Sequence, residues 1–166
     1  MAVLAACGGS PSLNGPLNSG GGVLGRECGV RPIDGQRVLF SVLATTIMPP
    51  GEQATITSVT LVDPKSLSLR KALVVPIMGT VLAGEGLPFP LAPQYVAETR
   101  AVGVDWPALK PAVGYVVKGS HPVDLITVVQ ADGARGTSAA ILVGYTFDGN
   151  SYDSRITLSL ELAPRC

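Results

Sequence analysis

Few residues in this chain could do chemistry. There are three cysteines, Cys7, Cys28 and Cys166, and one histidine, His121. A Ser-His-Asp hydrolase needs its histidine within hydrogen-bond reach of a serine, with a carboxylate orienting the ring. His121 stands in "KGSHPVD", beside Ser120 and three residues before Asp124. Triad members converge from different elements, whereas these are neighbours in sequence, and no G-x-S-x-G elbow occurs. The sequence therefore reads His121 as a solvated loop residue ahead of Pro122, with a hydrolase using His121 kept as an alternative class.

Metal chemistry fares no better. A zinc site needs several His, Cys or carboxylate ligands, which one histidine and a pair of cysteines expected to be bonded cannot supply. Met48, Met78 and His121 would suit a copper carrier only if they converged, and methionine as core filler is the simpler reading. A metal chaperone is kept as the second alternative, and no cofactor is expected. "DGNSYD" (148–153) has the Asp148, Asn150 and Asp153 of a calcium loop but not its sixth-position glycine or distal glutamate, so a hairpin turn accounts for it. Glu85, Glu98, Asp105 and Asp124 are dispersed, and nothing places two of them together for acid–base work. The glycines of "GRECG" and "ADGARG" precede no helix that could cradle a phosphate.

Composition excludes further classes. Charged residues are 14% of the 166-residue chain, well under the roughly 25% of ordinary globular chains. The formal net charge is zero and neither sign forms a block, which argues against nucleic acid as a partner. No apolar stretch is long enough to span a bilayer. With 20 glycines and 14 prolines, turns should be frequent.

The elements around these residues read as strands. "RVLFSVLATT" (37–46) alternates, "QATITSVTLV" (53–62) is rich in β-branched residues, and "SLSLRKALVV" (66–75) follows a turn at Asp63-Pro64. "GTVLA" (79–83), "VGYVVKG" (113–119) and "VDLITVVQ" (123–130) continue the series. "TSAAILVGYTF" (137–147) is the most apolar and should be central. In "SYDSRITLSLEL" (151–162), Tyr152, Ile156, Leu158, Leu160 and Leu162 fall on one face and Asp153, Arg155, Thr157, Ser159 and Glu161 on the other. Asp148-Gly149-Asn150 between the last two runs is a hairpin signal. "QYVAETRAV" (94–102) fits a short helix or a strand. About eight strands with turn signals every ten residues or so predict an all-β, two-sheet antiparallel sandwich. The closing hairpin with Tyr145 and Tyr152 resembles that of an immunoglobulin-like domain, although the Cys-Trp-Cys core of true immunoglobulin domains is absent.

The segment "GEGLPFPLAPQYVAETRAVGVDWPALKP" (84–111) has two readings. Phe89, Tyr95 and Trp106 could anchor a partner, making it a candidate partner-binding surface. The preferred alternative is a crossover between sheets whose aromatics cap the core.

Leu4-Ala5-Ala6-Cys7 resembles the lipobox of bacterial lipoproteins, with leucine three places before the cysteine and small residues between. The resemblance implies that Cys7 is the lipidation site, that residues 1–7 are the remnant of a signal peptide, and that the coding DNA continues in frame upstream of Met1. Residues 8–26, rich in Gly, Ser, Asn and Pro, should form a flexible tether, leaving residues 27–166 as the sandwich domain. With Cys7 lipidated the other cysteines are even in number, and a Cys28–Cys166 disulfide is expected to close the domain. These readings converge on a lipid-anchored, extracytoplasmic protein with a binding or structural role at the cell envelope. Its partners would be the membrane, through the anchor, and an envelope protein or glycan.

Overall fold

The architecture comes from a computed structural model that describes residues 15–19, 25–30, 37–41, 46–76, 86–100, 105–119, 121 and 123–166. At its centre, "VDLITVVQA" forms strand β10 (Val123–Ala131), buried along all but one of its positions. An unbroken apolar run of this kind marks a strand covered on both faces. One edge of β10 pairs antiparallel with β6 (Leu67–Pro76) and the other with β3 (Arg37–Ser41) and β4 (Thr46–Ile47). Short strands complete this sheet: β7 (Leu87–Phe89) beside β3, β8 (Lys110–Pro111) beside β6, and β1 (Asn18–Ser19) beside β4.

A second sheet runs in the order β13 (Asn150–Ile156), β12 (Ala140–Phe147), β5 (Gln53–Val62), β9 (Val116–Lys118). The β12–β13 turn is Asp148-Gly149, with Phe147 opposite Asn150 and φ values of +48° and +76°. Positive φ at both central residues matches the right-handed twist of the flanking strands, and glycine takes it without strain. A third sheet has the order β11 (Gly136–Ser138), β14 (Leu158–Ala163), β2 (Gly25–Val30), the last two being parallel. β11–β12 and β13–β14 are two halves of one long hairpin. Between the pairs Ser138↔Leu160 and Ile141↔Ile156 the register slips by one residue. Such an extra residue bends a hairpin, and here the far half leaves β5 and pairs with β2.

Phe40, Ile56, Leu125, Ile141, Tyr145 and Leu160 meet between the sheets in the main core. A second cluster lies on the outer face of β10 and its neighbours: Leu39, Val75 and Ile126, covered by Trp106. The chain is an all-β sandwich, as its period-two patterning predicts. Tyr152, Ile156, Leu158, Leu160 and Leu162 do share the core-facing side. In the ambiguous 94–102 segment, residues 94–100 are helical, within α1 (Pro93–Arg100), and 101–102 lie outside the described residues. The strand expected at 79–83 lies outside the described residues.

Part of the stretch expected to be a tether is built into the sandwich. Leu17 is buried in the main core, Asn18–Ser19 pairs with β4, and β2 begins at Gly25. Low overall apolar content misled here, because one leucine in the right place suffices to dock a short segment. Cys7 and residues 8–14 lie outside the described residues.

Candidate functional site

The proline-rich segment supplies the outer cover of the first sheet. Pro107 follows Trp106 in a 3-10 turn (Trp106–Ala108), which drives the indole against Leu39, Val75 and Ile126, leaving it 5% exposed. Tyr95 of α1 packs on Trp106 with ring centroids 6.4 Å apart, and Phe89 of β7 joins the same cluster beneath the ammonium of Lys71. The three aromatics singled out in sequence are thus brought together, and Trp106 serves as core. What stays open is a groove of about 390 Å³ between β7 and α1. Leu87, Pro88, Pro90 and Leu91 line it, with Tyr95 and Glu98 as polar-bearing neighbours. A mostly apolar concavity with few polar groups is the usual form of a small-ligand or peptide site.

A pair of carboxyls not visible in the sequence forms a second feature. In β2, Glu27 and Gly29 lie opposite Leu160 and Leu162, and a Cβ on Gly29 would stand 2.9 Å from the Phe40 ring. That side of β2 therefore faces the core, and Glu27 shares it by the two-residue period. Its Oε2 is buried without a hydrogen-bond partner. Burial first, and the charge of Asp124 second, push the Glu27 carboxyl up to about 7. Asp124, on β10 opposite Val75, is itself 3% exposed. A carboxyl raised as Glu27 is can hold or release a proton near neutral pH, a property common at functional sites. Glu27 was missed because no spacing rule links β2 to β10.

Outside the third sheet, Glu161 of β14 binds two guanidinium groups, Arg26 of β2 and Arg135 ahead of β11, the latter at 2.7 Å. Burial alone would raise the Glu161 carboxyl, but the two arginines outweigh it and hold it below the usual carboxylate range. Glu161 sits opposite Cys28 in the β14–β2 register. Cys28 in turn is bonded to Cys166, with Cα atoms 5.7 Å apart, within the unstrained range.

His121 is exposed, with its backbone N–H donating to the Lys118 carbonyl at 3.0 Å, whereas Asp124 is buried; Ser120 lies outside the described residues. Met48 is fully buried in the main core, and Met78 lies outside the described residues. Asn150 Nδ2 donates to the Asp148 carbonyl at 3.2 Å, which closes the turn. Among the described residues no group of three or more His, Cys, Asp or Glu is placed to hold a metal ion. Nor, among them, is any helix long and apolar enough to cross a membrane. The sequence matches no protein-family model and no curated protein.

Proposed function

We propose that this chain is the folded part of a bacterial lipoprotein, an immunoglobulin-like sandwich held at the cell envelope by lipid on Cys7, and that it works there by binding rather than by catalysis. One observation carries the reading: the Cys28–Cys166 bond accounts for two of the three cysteines and leaves Cys7, within Leu4-Ala5-Ala6-Cys7, as the odd one. A disulfide spanning the domain belongs to an oxidising compartment, which is where the lipobox resemblance would send the chain. The groove beside Tyr95 is the concave surface that supports a binding role, toward an envelope protein or glycan. The test is metabolic labelling with an alkyne fatty acid in a bacterium expressing the full gene. Label should enter the wild-type chain and be absent from Cys7→Ala. Equal labelling of both, or of neither, overturns the anchor.

A further inference from the structure

We propose that the groove between β7 and α1 receives a segment of another protein, one that brings apolar side chains and a lysine or arginine whose cationic head meets Glu98; this rests on the reading that the chain works by binding, and takes its protein side over its glycan side. Most of the residues lining the groove are apolar: Leu87, Pro88, Pro90, Leu91 and Ala92. Such walls offer few partners to the many hydroxyls of a glycan, each of which gives up water on docking. Pro88, Pro90, Ala92, Gln94 and Glu98 are themselves exposed. A groove with exposed walls does not enclose a free small molecule, whose sites bury most of its surface. It can seat a few side chains of a larger partner that finds further contact around the rim.

The backbone of β7 decides how such a segment can bind. Among the described residues β7 pairs with β3 alone, with Val38 opposite Pro88. Proline has no N–H to exchange, so Val38 and Pro88 form a non-hydrogen-bonded pair. The polar groups of Leu87 and Phe89 then turn toward β3, and the outer edge presents the Pro88 carbonyl without a donor. A partner strand cannot extend the sheet by a ladder there, and recognition falls to side chains. Among the lining residues Glu98 alone is charged. It shares a helix face with Gln94 and Tyr95, at the i+4 and i+3 spacings. Arg100 lies two positions further on, turned about 200° around the axis. Lys71 stands over the Phe89 ring, 5.6 Å from its centroid, and neither residue lines the groove. The first turn of α1 adds little donor capacity, since Pro93 has no N–H and that of Val96 donates to the Ala92 carbonyl at 3.2 Å. A carboxylate beside apolar walls is complementary to a cation on an apolar stem, which describes the side chains of lysine and arginine.

The test screens the purified full chain, beside Glu98→Lys, against a positional library of acetylated hexapeptide amides. Glu98 is exposed, so the reversal leaves the fold in place. The wild type should enrich Lys or Arg at one position with apolar residues next to it, and Glu98→Lys should exchange that preference for Asp or Glu. For the best single peptide, Glu98→Gln should weaken binding by about twofold to fivefold, the range of an exposed ion pair. Added salt should narrow the difference between the two chains. Amide shifts read by NMR on titration should gather at Leu87, Leu91, Tyr95 and Glu98. The same charge preference in wild type and Glu98→Lys, or shifts centred elsewhere, overturns the proposal. An N-acetylglucosamine tetramer is titrated in parallel. Shifts at the groove with the tetramer and none with any peptide would overturn the proposal and leave the binding reading standing, whereas silence from both probes would sink the two together.

Discussion

The backbone N–H of Leu17 donates to the phenol oxygen of Tyr145 at 3.2 Å, joining the start of the described chain to the centre of its closing hairpin. Tyr145 in turn stacks on Tyr152, its cross-strand partner, with ring centroids 5.5 Å apart. A segment of Gly-Pro-Ser-Asn character is thereby fixed by one apolar side chain, one hydrogen bond and one missing Cβ. Leu17→Ala should cost about 2–5 kcal/mol, and Tyr145→Phe about 1 kcal/mol through the lost bond. Gly15→Ala should displace the segment outright. Limited proteolysis with mass readout checks this: cleavage near residues 15–19 should be faster in all three variants, with the rest of the sandwich persisting.

The Cys28–Cys166 bond closes a loop of 138 positions and ties β2 to the end of β14. The chain-entropy model puts its contribution at about 5 kcal/mol. Reduction, or Cys28→Ser with Cys166→Ser, should lower the urea midpoint markedly. Strand content by circular dichroism at low temperature should be unchanged, because the β14–β2 hydrogen bonds do not depend on the link.

Two glutamates should bend the pH–stability curve in opposite senses. Glu27 is raised from 4.5 to about 7 in the fold, so folding disfavours its charged form. Its effect is absent below pH 4.5 and builds as a loss of stability as pH rises towards 7. Discounted for partial exposure, the loss is on the order of 2 kcal/mol. Glu161 is lowered by Arg26 and Arg135, so its contribution is present above 4.5 and lost as pH falls through its folded value. Urea midpoints from pH 3 to 8 check both, in about unit steps. Glu27→Gln should flatten the decline between 4.5 and 7, and Glu161→Gln should remove the acid-side loss.

Trp106 is the one tryptophan, 5% exposed on the second cluster. Its emission should be blue-shifted and shielded from iodide until global unfolding. Trp106→Ala should cost about 3–5 kcal/mol and release α1 from Leu39, Val75 and Ile126. Red-shifted, fully quenchable native emission would contradict this placement.

Strands with a local signal were legible from sequence. β5, β10 and the closing hairpin combine β-branched runs with Asp-Gly or Asp-Pro punctuation; β5 and β10 fall within a residue of expectation, whereas the hairpin runs expected at 137–147 and 151–162 are each divided, into β11 and β12 and into β13 and β14. The terminal pairing of Cys28 with Cys166 was legible from position and parity. β2 was not: "GRECGV" has two glycines and two charges, and its pairing with β14 is parallel and joins opposite ends of the chain. For the same reason Glu27 and Asp124 could not be associated, since only the tertiary fold brings their charges within reach of one another. Leu17 was hidden by its neighbours' composition. The aromatics Phe89, Tyr95 and Trp106 were found, but their side of the sheet depends on α1, whose short sequence carries no decisive period.

In the proposed anchoring, Cys7 carries the lipid while Cys28 and Cys166 are bonded to each other. Intact mass spectrometry of the protein purified from detergent extracts of its own cells tests it most directly. The account predicts a chain that begins at Cys7, bears a diacylglyceryl group there, and is lighter by two hydrogens for the Cys28–Cys166 bond. A chain of unmodified mass, with Cys7 free to react with a thiol reagent, would contradict it.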